Sequence, residues 1–247
     1  MRLCALLLVP VLAGCSFHSS KYMKYPQNPY THVRTIAVAP FLSEGSASGA
    51  EASHSHGAMA PATDGNGLEA AEIFANELAQ VPGIRVIRPG HVKDAVLKDA
   101  SQIANVQEAL AVAKKLGADA IIVGVVTDYD PYPPPRAGIA IQMFAENPSA
   151  ENPGGDPTSE VLSGRPLAVG PAEQRFLVIA FERVFDAHQA ATRDELRDYA
   201  ESFTPEDRGF QGEGYFLGVY ERYLHFCANV MIREILASSE SAFVASK

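Results

Sequence analysis

Four side chains in the middle and later part of the chain have the chemistry of acid–base catalysis or metal binding. Asp128 and Asp130 directly follow an apolar run, and Asp186 lies two residues before His188. Carboxylates at a strand end can bind a metal ion or move a proton, and a carboxylate can orient an imidazole as a base. No nucleophile motif accompanies them, and turn-forming carboxylates at solvated strand ends fit the same pattern. We therefore expect no catalytic residue, and a small hydrolase or metal-dependent enzyme is the alternative.

The other chemically active side chains give weaker signals. His54 and His56 lie in a stretch rich in Ser, Gly and Ala, and two imidazoles do not complete a metal site. Cys227 lies in an apolar helical pattern, so we expect an inert thiol whose pKa is raised by burial. The sequence contains no phosphate-binding loop, dinucleotide fingerprint, serine elbow or zinc motif. We therefore expect no metal and no cofactor.

The first fifteen residues, MRLCALLLVPVLAGC, carry a different chemistry. Arg2 precedes an apolar run of about ten residues, which is too short to span a bilayer and is typical of a signal peptide. The tripeptide Leu-Ala-Gly then stands directly before Cys15, as in a bacterial lipobox. This motif predicts a signal peptide over residues 1–14 and lipidation of Cys15 with acyl chains such as palmitate, which would anchor the protein to a membrane. Because Ser16 and not Asp follows the cysteine, we expect sorting to the outer membrane, facing the periplasm.

The composition restricts the partners. The formal net charge is −9, so the chain lacks the excess of Lys and Arg that nucleic acids and anionic lipid head groups attract. We therefore expect no nucleic-acid partner and a membrane attachment that depends on the lipid. With Cys4 in the signal peptide and Cys15 lipidated, one thiol remains, so the core and not a disulfide must hold the fold.

The apolar pattern predicts one folded domain over residues 34–238. Residues 15–33 are polar and contain prolines, and they predict a solvated tether. Within the domain, residues 43–66 and 146–170 have few large apolar side chains and predict flexible insertions. Residues 239–247 are expected to form a C-terminal tail.

The order of the elements predicts an α/β domain with a single mixed β-sheet of about five strands, flanked by helices. Gly124 is expected to let a helix lie close to the sheet. We predict strands at residues 34–41, 84–88, 118–126, 138–145 and 176–185, and helices at residues 68–81, 90–98, 105–116, 189–201 and 214–238.

Three segments, in this order, resemble a known family. They read IAVAPF at residues 36–41, IRVIR at residues 84–88 and AKKLGADAIIVG at residues 113–124. The set resembles the periplasmic lipoproteins grouped with the curli secretion channel; the lipoprotein activators of penicillin-binding proteins and the N-terminal domain of TolB are similar. The resemblance covers roughly residues 34–130. It implies a small α/β domain that binds other envelope proteins and has no active site.

A Tyr-Pro-Pro-Pro run follows the central strand. Tyr132, Pro133, Pro134 and Pro135 predict a stiff, exposed polyproline II segment that can dock into an aromatic groove of a partner. A rigid connection that stops the strand is the alternative.

Together these features predict a lipid-anchored cell-envelope protein that acts as an interaction or assembly module, with envelope proteins as partners and homo-oligomerisation left open. A small envelope enzyme is one alternative. A subunit of an oligomeric secretion pore is another, with residues 137–145 and 174–186 as the nearest spanning segments. Glu182, Arg183 and Asp186 fit that second segment poorly.

Overall fold

The computed structural model describes residues 25–43, 65–98, 103, 105–146, 176–203 and 212–244. The signal peptide, Cys15, His54, His56 and nearly all of both insertions lie outside these ranges. The strands are β1 (Thr35–Val38), β2 (Leu42–Ser43), β3 (Arg85–Ile87), β4 (Ala120–Asp130), β5 (Arg136–Glu146) and β6 (Phe176–Asp186). The helices are α1 (Gly65–Leu78), α2 (Pro89–Lys98), α3 (Val106–Lys115), α4 (Ala190–Glu201), α5 (Glu213–Gly218) and α6 (Tyr220–Val244).

The strands form one mixed sheet in the order β3-β1-β4-β5-β6, and β2 pairs with β4 beyond the end of β1. β1 runs parallel to β3 and β4, whereas β4, β5 and β6 are successively antiparallel. The crossover units come first and the hairpin-like pairs follow, as the order of the predicted elements indicates. The α/β class and the mixed sheet flanked by helices are confirmed.

Helices cover both faces of the central strand β4. Ala120, Ile122 and Val126 belong to the larger core cluster, which also contains residues of α1, α4 and α6. Ile121 and Val123 point to the opposite face and pack with the residues of α2 and α3. A strand that is buried on both faces has no polar face, and this explains the continuous apolar run in the sequence.

The ends of α3 form as the sequence predicts. Asn105 Oδ1 accepts a hydrogen bond of 2.9 Å from a backbone N–H in the first turn, and Gly117 follows the helix with φ +70°. Asp119 then reaches across to the first strand, where its Oδ2 accepts from the backbone N–H groups of Arg34 and Thr35 at 2.9 and 2.8 Å. The turn before β4 is therefore fastened to the beginning of β1.

The prediction of a solvated tether is wrong for residues 25–33. Tyr25, Tyr30 and Val33 are buried in the larger core cluster. The Tyr30 hydroxyl donates a hydrogen bond of 2.6 Å to the carbonyl oxygen of Ile235 in α6. Burial of three apolar side chains outweighs the polar, proline-containing composition that predicts a solvated chain. At the other terminus α6 continues to Val244, past the predicted start of the tail.

The prediction of a polyproline II segment after β4 is also wrong. Residues 131–135 connect β4 to β5, with Asp130 directly opposite Arg136 in the ladder. The peptide bond between Pro133 and Pro134 is cis. A connection that reverses the chain over five residues is a turn, whereas polyproline II is an extended helix.

The segments considered for a secretion pore belong to the central sheet. Ile139, Ile141 and Met143 of β5 and Ile179 of β6 are buried in the larger core cluster. Insertion into a membrane would remove these side chains from the core. The pore alternative therefore has no support in the described arrangement of β5 and β6.

Candidate functional site

The sheet brings the predicted acid–base residues together at one end, although they are up to 60 positions apart in the chain. Arg136 begins β5 and lies opposite Asp130 of β4 on one side and opposite Asp186 of β6 on the other. We call this end of the sheet the hairpin tip. It comprises Asp128, Asp130, Tyr132, Arg136, Asp186 and His188.

Asp128 is held by an ion pair. Its Oδ2 lies 2.8 Å from Nε of Arg136. The ladder between β4 and β5 shifts register between Val126 and Asp128, opposite Gly138. A Cβ atom on Gly138 would lie 2.5 Å from Thr127 Oγ1, so the bulge requires glycine on the facing strand. Both partners of the ion pair are partly exposed, so its main effect is on geometry and not on stability.

The other two carboxylates close turns. Asp130 Oδ1 accepts a hydrogen bond of 3.1 Å from the backbone N–H of Tyr132. Asp186 Oδ1 accepts one of 2.9 Å from the backbone N–H of His188 and lies 2.9 Å from Nδ1 of the same residue. The hydrogen bond from the backbone N–H of His188 lowers the pKa of Asp186 the most, and the His188 imidazole lowers it further. Asp186 is thus an ionised acceptor at neutral pH and a poor general acid.

The remaining candidates do not complete a catalytic or metal centre. Among the residues that the structure describes, no three His, Cys, Asp or Glu side chains are grouped so that they could hold a metal ion. Cys227 is fully buried, and burial raises the pKa of its thiol. His225 does not face this thiol, because its Nδ1 lies 2.7 Å from Glu77 Oε1 on α1.

Tyr132 is a strongly exposed side chain of the hairpin tip. It is 78 % exposed, whereas Pro135 in the same turn is buried. The backbone of Tyr132 is fixed by Asp130, and the strands on either side are joined by the Asp128–Arg136 ion pair. The turn therefore presents an aromatic ring to solvent on a rigid support.

The hairpin tip is also fixed to the beginning of α6. The ring of Tyr220 packs edge-on against Tyr129, with centroids 4.7 Å apart, and its hydroxyl donates to the carbonyl oxygen of Arg136 at 3.3 Å. Burial is the largest cause that raises the pKa of Tyr220, so this hydroxyl stays protonated. The backbone N–H of Ala187 donates to the carbonyl oxygen of Pro135 at 3.1 Å. Both sides of the turn therefore have tertiary support.

A buried polar cluster, which the sequence did not predict, holds the N-terminal segment against the middle of α6. Asn229 Nδ2 donates to the Tyr25 hydroxyl at 2.8 Å, and the guanidinium carbon of Arg233 lies 5.0 Å from the centroid of the Tyr25 ring. The distance along α6 from Tyr220 to Ile235 is about 22 Å at 1.5 Å per residue. The N-terminal segment therefore contacts the middle of α6, from Asn229 to Ser238, whereas the hairpin tip contacts its first residue, Tyr220.

No helix in the described part of the chain is long and apolar enough to span a bilayer. No protein-family model matches the chain, and no curated protein matches it.

Solved structures with a similar arrangement do exist. The chain is similar to the LpoB C-terminal domain from Salmonella enterica, at 11 % identity over 65 % of this chain and 87 % of that one, with a TM-score of 0.34. It is similar to the hypothetical protein CT253 from Chlamydia trachomatis, at 9 % identity over 83 % and 98 % of the two chains, with a TM-score of 0.38. It is also similar to lipoprotein GNA1162 from Neisseria meningitidis, at 16 % identity over 56 % and 99 %, with a TM-score of 0.27. The chain is thus similar, at low identity, to bacterial proteins that include a lipoprotein, and no functional conclusion follows from TM-scores in this range.

Proposed function

We propose that the protein is a lipid-anchored interaction module of the bacterial cell envelope, with Cys15 as the lipidated residue and the hairpin tip as its recognition surface. The observation that carries this proposal is the exposure of Tyr132 on a turn that is fixed from both sides. A rigid aromatic side chain offers a large contact area and loses little conformational entropy on binding.

The carboxylates of the hairpin tip act as structural supports of this surface and not as catalysts. Asp128 pairs with Arg136, Asp130 fixes the backbone of Tyr132, and Asp186 fixes the backbone of His188. Each carboxylate uses one of its oxygens in such a contact. These contacts favour recognition over the enzymatic alternative.

The lipid would act by confinement. Residues 16–24 lie between Cys15 and the first described residue, Tyr25, which is buried, and an extended chain of this length spans about 35 Å. The domain would stay within that distance of the membrane surface, which raises its effective concentration towards envelope proteins there. Tyr132 is exposed while residues 25–33 are packed against α6, so the packing of the N-terminal segment leaves it accessible.

The test is site-specific photocrosslinking of the full-length lipoprotein in its own membranes. A photoreactive amino acid replaces Tyr132 in one variant and Leu97, which is 66 % exposed on α2, in the control. We expect a discrete crosslinked envelope protein from position 132 alone, and its loss when Cys15 is replaced by Ser. Identical products from both positions, or none from position 132, would overturn the proposed recognition surface.

A further inference from the structure

Strand β6 is a long edge strand whose charged residues, Glu182, Arg183 and Asp186, all lie in its second half. It pairs with β5 over its full length, and no strand in the described part of the chain pairs with its other side. Its sequence, FLVIAFERVFD, contains no Lys, Pro or Gly. Lys and Pro are frequent on edge strands, because unpaired N–H and C=O groups otherwise recruit another strand, and the first half of β6 also lacks any charge.

The face of β6 that lies away from α6 is partly apolar. Val178 and Val184 are 50 % and 44 % exposed, and Ala180 and Glu182 between them are exposed as well. These four alternate residues share one face, since successive side chains of a strand point to opposite sides. Half-exposed valines therefore stand near both ends of an unpaired edge.

We propose that β6 pairs antiparallel with β6 of a second copy of this chain, about a two-fold axis at Phe181. In this register Val178 lies opposite Val184 of the second copy, and the same pair recurs on the other side of the axis. β-branched side chains opposite each other stabilise antiparallel pairs. The edge is thus self-complementary, as a two-fold interface requires.

Neighbouring registers lack this fit. An axis at Glu182 places two carboxylates directly opposite each other, and an axis at Arg183 does the same with two guanidinium groups. Like charges in directly opposite positions are unfavourable. The axis at Phe181 instead places Glu182 opposite Ala180, and it is the register in which residues 176–186 of both copies overlap completely.

The position of the N-terminal segment is compatible with this dimer. Tyr25 and Tyr30 pack on the side of the sheet that carries α1 and α6. The two-fold axis of a continuous antiparallel sheet is perpendicular to the sheet, so it keeps this side common to both copies. Both N-terminal segments therefore leave the dimer on the same side and can reach one membrane surface.

Cysteine crosslinking of the full-length lipoprotein in membranes tests the register. Cells produce two tagged copies together, one with Ala180→Cys and the other with Glu182→Cys. Residues directly opposite in an antiparallel pair have Cα atoms about 4.5–5.5 Å apart, within the range of a disulfide. We expect a disulfide-linked dimer from the mixture and little from either variant alone, and the buried Cys227 should take no part. Absence of a mixed disulfide, or equal yields from the single variants, would overturn the proposal.

A second measurement uses the size of the detergent-solubilised lipoprotein at several concentrations. Val178→Glu places an unpaired carboxylate in the interface and should raise the Kd of the dimer about tenfold or more. Leu97→Glu introduces the same charge at an exposed site on α2 and should leave the Kd unchanged. If residues 147–175 of the chain or another protein cover β6, the wild type will remain monomeric at every concentration, and the proposal is wrong.

Discussion

The hydroxyl of Tyr25 donates a hydrogen bond of 2.7 Å to Oε2 of Glu77, a buried carboxylate near the end of α1. The other oxygen of Glu77 lies 2.7 Å from Nδ1 of His225. Burial of a carboxylate is unfavourable unless its oxygens are hydrogen-bonded. His225 of α6 contacts one oxygen of Glu77, and the N-terminal segment supplies the donor for the other. This dependence makes Tyr25 part of the folded domain.

Replacement of Tyr25 by Phe should destabilise the protein by about 1–3 kcal/mol, because Glu77 loses a donor and Asn229 loses an acceptor in a buried place. Urea unfolding followed by circular dichroism measures the change. The control is Tyr132→Phe, which removes an exposed hydroxyl and should alter the free energy of unfolding by no more than about 0.5 kcal/mol. Equal effects of the two substitutions would show that the buried hydrogen bonds do not stabilise the fold.

Tyr223, unlike Tyr25, has a buried hydroxyl that makes no hydrogen bond to the described residues. Tyr223→Phe removes an unsatisfied polar atom and should leave the free energy of unfolding unchanged or raise it. Tyr30→Phe is the matched comparison, because it removes the hydrogen bond to Ile235 and should cost about 1 kcal/mol. A loss of stability in Tyr223→Phe as large as that in Tyr30→Phe would contradict this prediction.

Gly124 lies beneath an aromatic ring. A Cβ atom at this position would lie 2.7 Å from two ring carbons of Phe41, so Gly124→Ala should destabilise the protein by about 1–3 kcal/mol. Gly90 in α2 has open space where its Cβ would lie, and Gly90→Ala should be neutral or stabilising, since alanine favours helices. Thermal unfolding of the two variants compares them directly. The prediction fails if alanine has the same effect at both positions.

The stability contributed by the Asp186 charge should depend on pH. The pKa of Asp186 is lowered in the folded protein from its ordinary value of 3.8, chiefly by the backbone N–H of His188. A lowered pKa means that the ionised form stabilises the fold above about pH 4 and that this contribution is lost as the pH falls further. Asp186→Asn keeps an oxygen acceptor but removes the charge. The variant should therefore unfold at a lower urea concentration than the wild type at pH 7, and this difference should shrink towards pH 2. A difference that stays constant with pH would contradict the prediction.

Local patterns predicted the sheet and several helix ends. Asn105 and Gly117 act through contacts within a few residues of themselves, and such contacts can be recognised in the sequence. The continuous apolar run that forms β4 likewise indicated that both faces of this strand are buried. The strands that carry Asp130 and Asp186 were also predictable, but the meeting of these residues beside Arg136 depends on the register of three strands.

Long-range packing was not predictable in the same way. Tyr25 and Tyr30 stand among polar residues and prolines, and their partners in α6 lie some 200 positions later. Gly124 was expected to admit a helix, but the nearest group is the ring of Phe41, which follows β1. One signal was present in the sequence, since Glu77 lies three residues after Phe74 and four after Ile73, so it shares a helix face with two large apolar side chains. A carboxylate at such a position requires a donor from elsewhere, and Tyr25 supplies it.

The contacts of α6 determine how the protein would respond to mechanical tension. A pull on the chain at residue 24 reaches the hydrogen bonds and ring contacts of Tyr25 and Tyr30 before it reaches β1. These contacts transmit the load to Glu77 of α1 and to Asn229 and Ile235 of α6. The first and the last helix of the described chain therefore share the force applied to residue 25 before it reaches the first strand along the backbone.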